Sequence, residues 1–186
     1  MTFLKIAKGA VGLCASIVLL TGCLKEDYPS TELFTWKAKV DVTDKAALTV
    51  NFEYSGGASG AEGSTKLIDN NYTTKYLINP YQSTMYMQLA FPQAQQVASY
   101  TLTSGDDAPG RDPKNWKLSG STDGTTWVDL DTKTGEVFSG RRLTRTFSFK
   151  NLVAYKFYRL SITANAGDSL FQLTEWRLIE VPAELQ

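Results

Sequence analysis

Histidine is absent from all 186 residues. That removes the Ser-His-Asp and Cys-His relays, histidine zinc sites and the commonest general base at one stroke. Cysteine is almost absent too, with only Cys14 and Cys23. There is no excess of either charge: 19 basic residues balance 19 acidic ones. A chain without a basic surplus has no electrostatic grip on nucleic acid or on anionic lipid headgroups. No glycine loop runs into a lysine and a hydroxyl residue, so a nucleotide phosphate cradle is unsupported. Helical periodicity is missing from every segment above ten residues, and no internal repeat is present.

What is there begins with Lys5 and Lys8, followed by the uncharged run AVGLCASIVLL at 10 to 20. This is the layout of a secretory leader. It is too short to cross a bilayer, which takes about 20 apolar residues. Leu20, Thr21, Gly22 and Cys23 follow, and together they resemble the bacterial lipobox. The resemblance implies cleavage after residue 22 and a diacylglycerol on Cys23; the alternative is an ordinary signal peptide cut nearby. With Cys14 discarded and Cys23 lipidated, no disulfide remains, so the fold depends on its core or on a metal. Residues 23–34 read as a polar tether. Lys25, Glu26 and Asp27 resemble the export tag of Bacteroidetes lipoproteins that reach the outer leaflet of the outer membrane, although a plain solvated linker has the same composition. The expected location is an outer-membrane, cell-surface lipoprotein.

From residue 35 to 186 the pattern is strand after strand. Trp36, Ala38, Val40 and Val42 alternate with polar residues, as do Leu48, Val50, Phe52 and Tyr54, and then Met85, Met87, Leu89 and Phe91. A period of two marks half-buried β-structure. Further runs are VASYTLTS, NWKLSGS, TWVDL, RTFSFKN, YKFYRLSIT and FQLTEWRLIEV. Glycine-rich and acidic breaks separate them, and Asp123-Gly124 is a hairpin signal. Eight or nine short strands in one domain predict an all-β antiparallel sandwich. Trp116 and Trp176 lie in alternating strands and Trp127 follows the hairpin; all three are expected in the core, as are Tyr158, Leu160 and Ile162. Arg159 and Ser161 then face outward.

The order KLIDNNYTTKYL, APGRDPKNWKLSGSTDGTTWVDL, AYKFYRLSI, SLFQLTEWRLIE resembles the discoidin, or coagulation factor five/eight type C, family over roughly residues 45 to 181. Its most specific stretch is RDPKNWKLSGSTDGTTW at 111 to 127. The resemblance implies a galactose-binding-like jelly roll that meets its ligand through loops at one end. It also implies a structural calcium held by Asp69, Asn71, Thr74 and Glu175. This chain departs from the family loop with Asn70 for a glycine, Asn71 for an aspartate and Tyr76 for a tryptophan. Asn70 can still take a left-handed backbone. The missing charge at Asn71 weakens calcium, because affinity follows ligand charge count, and a loop closed by its own hydrogen bonds is the alternative.

Carboxylates are available at Asp106, Asp107, Asp112, Asp123, Glu136 and Glu175, but most lie in turn-like sequence, where they cap and solvate. No enzyme is expected. Sugar recognition pairs a flat aromatic face with planar polar groups. The loops offer Tyr72, Tyr76, Tyr81, Asp107, Arg111, Asn115, Arg141, Arg142 and Phe171. Of these, Tyr72, Tyr76, Arg111, Asn115, Arg141 and Phe171 are the expected ligand residues, unless Arg111 instead pairs with Asp112. The expected partner is a glycan. The other reading is an adhesion module bound to a protein in a surface complex.

Overall fold

The computed structural model describes residues 38–186. The expected leader, Cys23, the tether and Trp36 fall outside them. Among the described residues there are eleven strands: β1 Val40–Asp41, β2 Ala47–Val50, β3 Tyr76–Ile78, β4 Tyr86–Gln95, β5 Val97–Thr103, β6 Pro113–Ser121, β7 Val128–Lys133, β8 Thr144–Ser148, β9 Tyr155–Asn165, β10 Phe171–Leu173 and β11 Glu175–Glu180. They form a four-stranded sheet in the order β1-β11-β5-β8, a five-stranded sheet β2-β4-β9-β6-β7, and a short β10-β3 pair. All neighbours are antiparallel. Among the described residues, helix is confined to four short 3₁₀ turns.

The expected alternation explains the core. β4 buries Met87, Leu89 and Phe91 just after buried Met85; β6 buries Trp116 and Leu118; β9 buries Tyr158, Leu160 and Ile162. Opposite them lie Tyr100 and Leu102 of β5, Phe147 of β8, and Trp176 and Leu178 of β11, all in one apolar cluster. Sheet-on-sheet packing joins two inner faces in this way. A polar chain crosses the core: Trp116 Nε1 donates to the Tyr100 hydroxyl at 2.7 Å, which donates to Asp131 at 2.9 Å. Both donors would otherwise be buried without partners, so the chain fixes the lateral position of one sheet on the other. Burial pushes the Tyr100 hydroxyl far above its ordinary range.

Four sequence expectations change. Ala38 and Val40 are exposed while Val42 is fully buried, because Val42 leaves the extended backbone (φ −108°, ψ 0°) and starts a 3₁₀ turn. The C-terminal run divides into β10 and β11 at Thr174, which raises the strand count. Asp123-Gly124 does join β6 to β7, but within a longer connection over residues 122–127; Gly124 has φ +78° and Asp123 accepts the Thr125 and Thr126 N–H groups. Trp127 is not in the core. It is half-buried and lies over the Arg159 guanidinium at 3.9 Å on the outer face of the five-stranded sheet.

Candidate functional site

The β10-β3 pair brings the 69–75 loop, which enters β3, beside the start of β11. Leu173 pairs with Tyr76, and two residues later β11 begins at Glu175. Asn70 adopts the left-handed backbone (φ 56°) expected of it, which turns Asp69 and Asn71 toward each other. Asp69 Oδ1 accepts the Asn71 N–H at 3.0 Å, and Thr74 Oγ1 donates to Asp69 at 2.9 Å. The same Asn71 N–H reaches Glu175 Oε1 at 3.0 Å. Two carboxylates therefore converge on one amide.

Glu175 is 1% exposed, and its Oε2 has no hydrogen bond. Arg177 Nη1 stands off at 3.8 Å and donates instead to the Ile68 carbonyl. Burial, helped by the negative Asp69 alongside, pushes the Glu175 carboxyl up to about 8. An orphaned buried oxygen next to a second carboxylate and two neutral oxygens fits a hard cation. Among the described residues no three acidic, cysteine or histidine side chains are grouped so as to hold a metal ion by themselves, in keeping with Asn71 standing where a third carboxylate would add charge.

Beside this loop lies a charge network built from separate loops. Lys75 Nζ sits 2.9 Å from both Asp106 and Asp107. Arg142 reaches Asp106 at 3.5 Å, and Arg111 lies 3.4 Å from Asp107 and 3.4 Å from Asp168. Backbone bonds tie the loops together, with Asp168 N–H on the Gly110 carbonyl and Arg142 N–H on the Gly105 carbonyl. Although burial opposes it, the two aspartates hold Lys75 above its ordinary range, and the Lys75 hydrogen bond holds Asp106 below the usual carboxylate range. Arg111 Nε is buried without a hydrogen-bond partner. Ala61, Glu62, Thr73, Thr74, Lys75 and Asp106 line a shallow groove of about 250 Å³, and the 45%-exposed Tyr72 precedes its Thr73 wall.

The expected ligand residues separate accordingly. Arg111 is in the network and Tyr72 is exposed beside the groove. Tyr76 and Phe171 are fully buried; they face each other edge to face at 6.5 Å, and the Tyr76 hydroxyl donates to the Phe52 carbonyl. The apolar β10-β3 pair needs them as its core, so neither can be a sugar platform. Arg141 turns inward, forming a two-pronged ion pair with Asp112. Arg111 is thus not the partner of Asp112. Asn115 accepts the Gly135 N–H at 2.8 Å and closes the loop after β7. Tyr81 packs its ring 6.2 Å from Phe171. Sequence reasoning missed Lys75 and Asp168 as site members; their only signal was position beside turn residues.

The F5/8 type C domain model matches residues 46–176. Among solved structures, the F5/8 type C domain of a Bacteroides fragilis protein shares 13% identity at a TM-score of 0.65, covering 76% of this chain and 96% of that one. CpGH89CBM32-5 from Clostridium perfringens, solved in complex with GalNAc-β-1,3-galactose, shares 14% identity at a TM-score of 0.63, covering 76% of this chain and 100% of that one. The family 32 carbohydrate-binding module of C. perfringens NanJ, in complex with galactose, shares 11% at 0.61, covering 77% and 100%. A curated relative, peptide-N(4)-(N-acetyl-beta-glucosaminyl)asparagine amidase of Arabidopsis thaliana, is 50% identical over 52 residues; the match spans 27% of this chain and 7% of the amidase. With the model match covering most of the sandwich, and with its fold shared by these structures, the chain belongs to the F5/8 type C domain family.

Proposed function

We propose that this chain is a non-catalytic carbohydrate-binding lipoprotein that takes sugar at the loop end of the sandwich. The observation that carries the reading is the network itself. Lys75, Asp106, Asp107, Arg111, Arg142 and Asp168 come from four loops to one place beside an exposed tyrosine. A sugar hydroxyl donates and accepts at once, and paired carboxylates and guanidinium groups keep spare lone pairs and N–H bonds for it. Tyr72 supplies a flat face for the C–H side of a ring. The sugar-bound family 32 structures of the same fold support this choice of ligand.

Calcium at the 69–75 loop belongs to the same proposal. Asp69, Thr74, Glu175 and the Asn71 backbone carbonyl would hold it, because the Asn71 side-chain oxygen already accepts from the Thr73 N–H and hydroxyl. When bound it supplies the positive charge that two adjoining carboxylates call for, and it fixes the loop that carries Tyr72. The lipid on Cys23 and the Lys25–Asp27 tag place the module on the cell surface. Cys23→Ser should abolish fatty-acid labelling, and alanine at residues 25 to 27 should keep the label but remove protease accessibility on intact cells.

The functional test is a glycan array probed with the full chain, followed by titration of the best neutral glycan. Lys75→Met and Arg111→Ala are expected to weaken binding; because their side chains are only 14% and 24% exposed, denaturation of each variant is measured alongside to show that it is folded. Unchanged affinity in both variants would move the site elsewhere. If no glycan binds at all, the protein-docking reading takes over; the observation favouring it is exposed Leu152 and Val153 between β8 and β9.

A further inference from the structure

Six arginines occur in the sequence, and all are described. Five have a carboxylate within ion-pair distance: Arg111, Arg141, Arg142, Arg145 and Arg177. Arg159 has none among the described residues, yet it is held as firmly as any. Its guanidinium carbon lies 4.1 Å from the Tyr86 ring centre and 3.9 Å from that of Trp127. Both distances are well inside cation–π range, so two aromatic rings hold the one flat group. Gln88 Oε1 fixes the third direction, accepting from Nε at 3.2 Å and Nη2 at 2.8 Å.

Gln88 is neutral, so these bonds orient the guanidinium without cancelling its charge. They also use the Nε–Nη2 edge and leave the end-on Nη1–Nη2 edge, whose two parallel N–H bonds match a planar carboxylate. The setting is the outer face of the five-stranded sheet, where Gln88, Arg159, Ser119 and Asp129 follow one another across β4, β9, β6 and β7. Asp129 is the acid in that row, and it is taken by Lys117 at 2.7 Å and Ser119 at 2.9 Å. Lys117 pairs across to Ser161, next but one to Arg159 on β9, which puts a second cation diagonally beside the first.

We propose that this face is a second binding surface, separate from the loop end, which takes an acidic polysaccharide by clamping one uronate carboxylate on Arg159. Half-buried Trp127 and Tyr86 flank the bound carboxylate and offer edges to the adjoining sugar rings. Tyr86, Gln88 and Arg159 lie within strands rather than in the loops of the other site, so this inference holds whether or not that end binds sugar.

The test uses polygalacturonate as the probe and the full chain in mild detergent. Binding is expected, weakening as salt rises. It should fall at least about tenfold in both Arg159→Gln and Arg159→Lys, because lysine keeps the charge but loses the planar fork. A comparison needing no variant guards against misfolding: fully methyl-esterified polygalacturonate should not bind, since its carboxylates are blocked. No binding of polygalacturonate overturns the proposal. So does equal binding of the ester, or an Arg159→Gln variant that binds as tightly as the parent. Dextran sulfate binding in place of polygalacturonate would also overturn it, because the face would then read sulfate.

Discussion

Replacing Arg141 by methionine should destabilise the domain severely without touching its ligand site. Asp112 is 2% exposed, and both its oxygens are turned to the Arg141 guanidinium. Its other side-chain contact is Gln172 Nε2, at 3.4 Å. In Arg141→Met the carboxylate keeps that long bond alone and stays buried, which costs roughly 3 to 5 kcal/mol when a buried pair loses one member. Against a total stability of about 5 to 15 kcal/mol, that is a large fraction. With a urea slope of about 2 kcal/mol per molar, the midpoint should fall by roughly 2 M. Asp112→Asn should cost less, because Arg141 is 26% exposed and can turn to water. The double variant should recover much of the loss, giving a coupling energy above about 1 kcal/mol. Urea denaturation of the four proteins measures all of this, and glycan titration of folded Arg141→Met should match the parent. A loss under about 1 kcal/mol, or strict additivity in the cycle, would refute the assignment of Arg141 to the fold.

Glu175 gives a pH dependence of defined sign. In chelator, the unfolded chain releases this proton near 4.5 while the folded chain keeps it to about 8; the unfolded state binds fewer protons across that window, so stability falls as pH rises through it and levels off above. Glu175→Gln should flatten the melting-temperature profile between pH 5 and 8, and added calcium should raise the parent's melting temperature by mass action; identical profiles for parent and variant, or no calcium response, would count against the site. Trp116→Ala should cost about 3 to 5 kcal/mol, the range for emptying a buried aromatic site, whereas Trp127→Ala, on the outer face, should cost clearly less. Equal losses in the two tryptophan variants by denaturation would contradict the placement of Trp127.

The fold was legible because its signal is local. Alternation along β4, β6 and β9 names the inward residues directly, and the structure buries Met87, Trp116 and Tyr158 as the period of two requires. The same rule misplaced Trp127, since the register carries no information about a residue that sits in a connection rather than in a strand. The site was less legible because it depends on which loops meet. Arg141 and Arg142 are adjacent in sequence, but the left-handed backbone at Arg142 (φ 53°) separates their directions. One goes to buried Asp112 and the other to Asp106 at the surface. Tyr76 and Phe171 looked like loop aromatics because their strands, at three residues each, are too short to show alternation. Asp69, Thr74 and Glu175 were brought together by family resemblance, across a separation that no local pattern spans.

The loop-end ion pairs have a bearing on affinity that their charges alone do not convey. Lysine and arginine are the side chains with most rotamer freedom to lose, and fixing each such chain on binding costs about 0.5 to 1.5 kcal/mol. Lys75, caught between Asp106 and Asp107, and Arg111, caught between Asp107 and Asp168, have already lost much of that freedom when the domain folds. A ligand arriving there meets groups whose ordering entropy was spent beforehand, so even a few hydroxyl contacts can yield net affinity. Loosening the scaffold, for example with Asp107→Ala, should then weaken binding by more than the loss of any contact to Asp107 itself, and a titration calorimeter would register the excess as entropy.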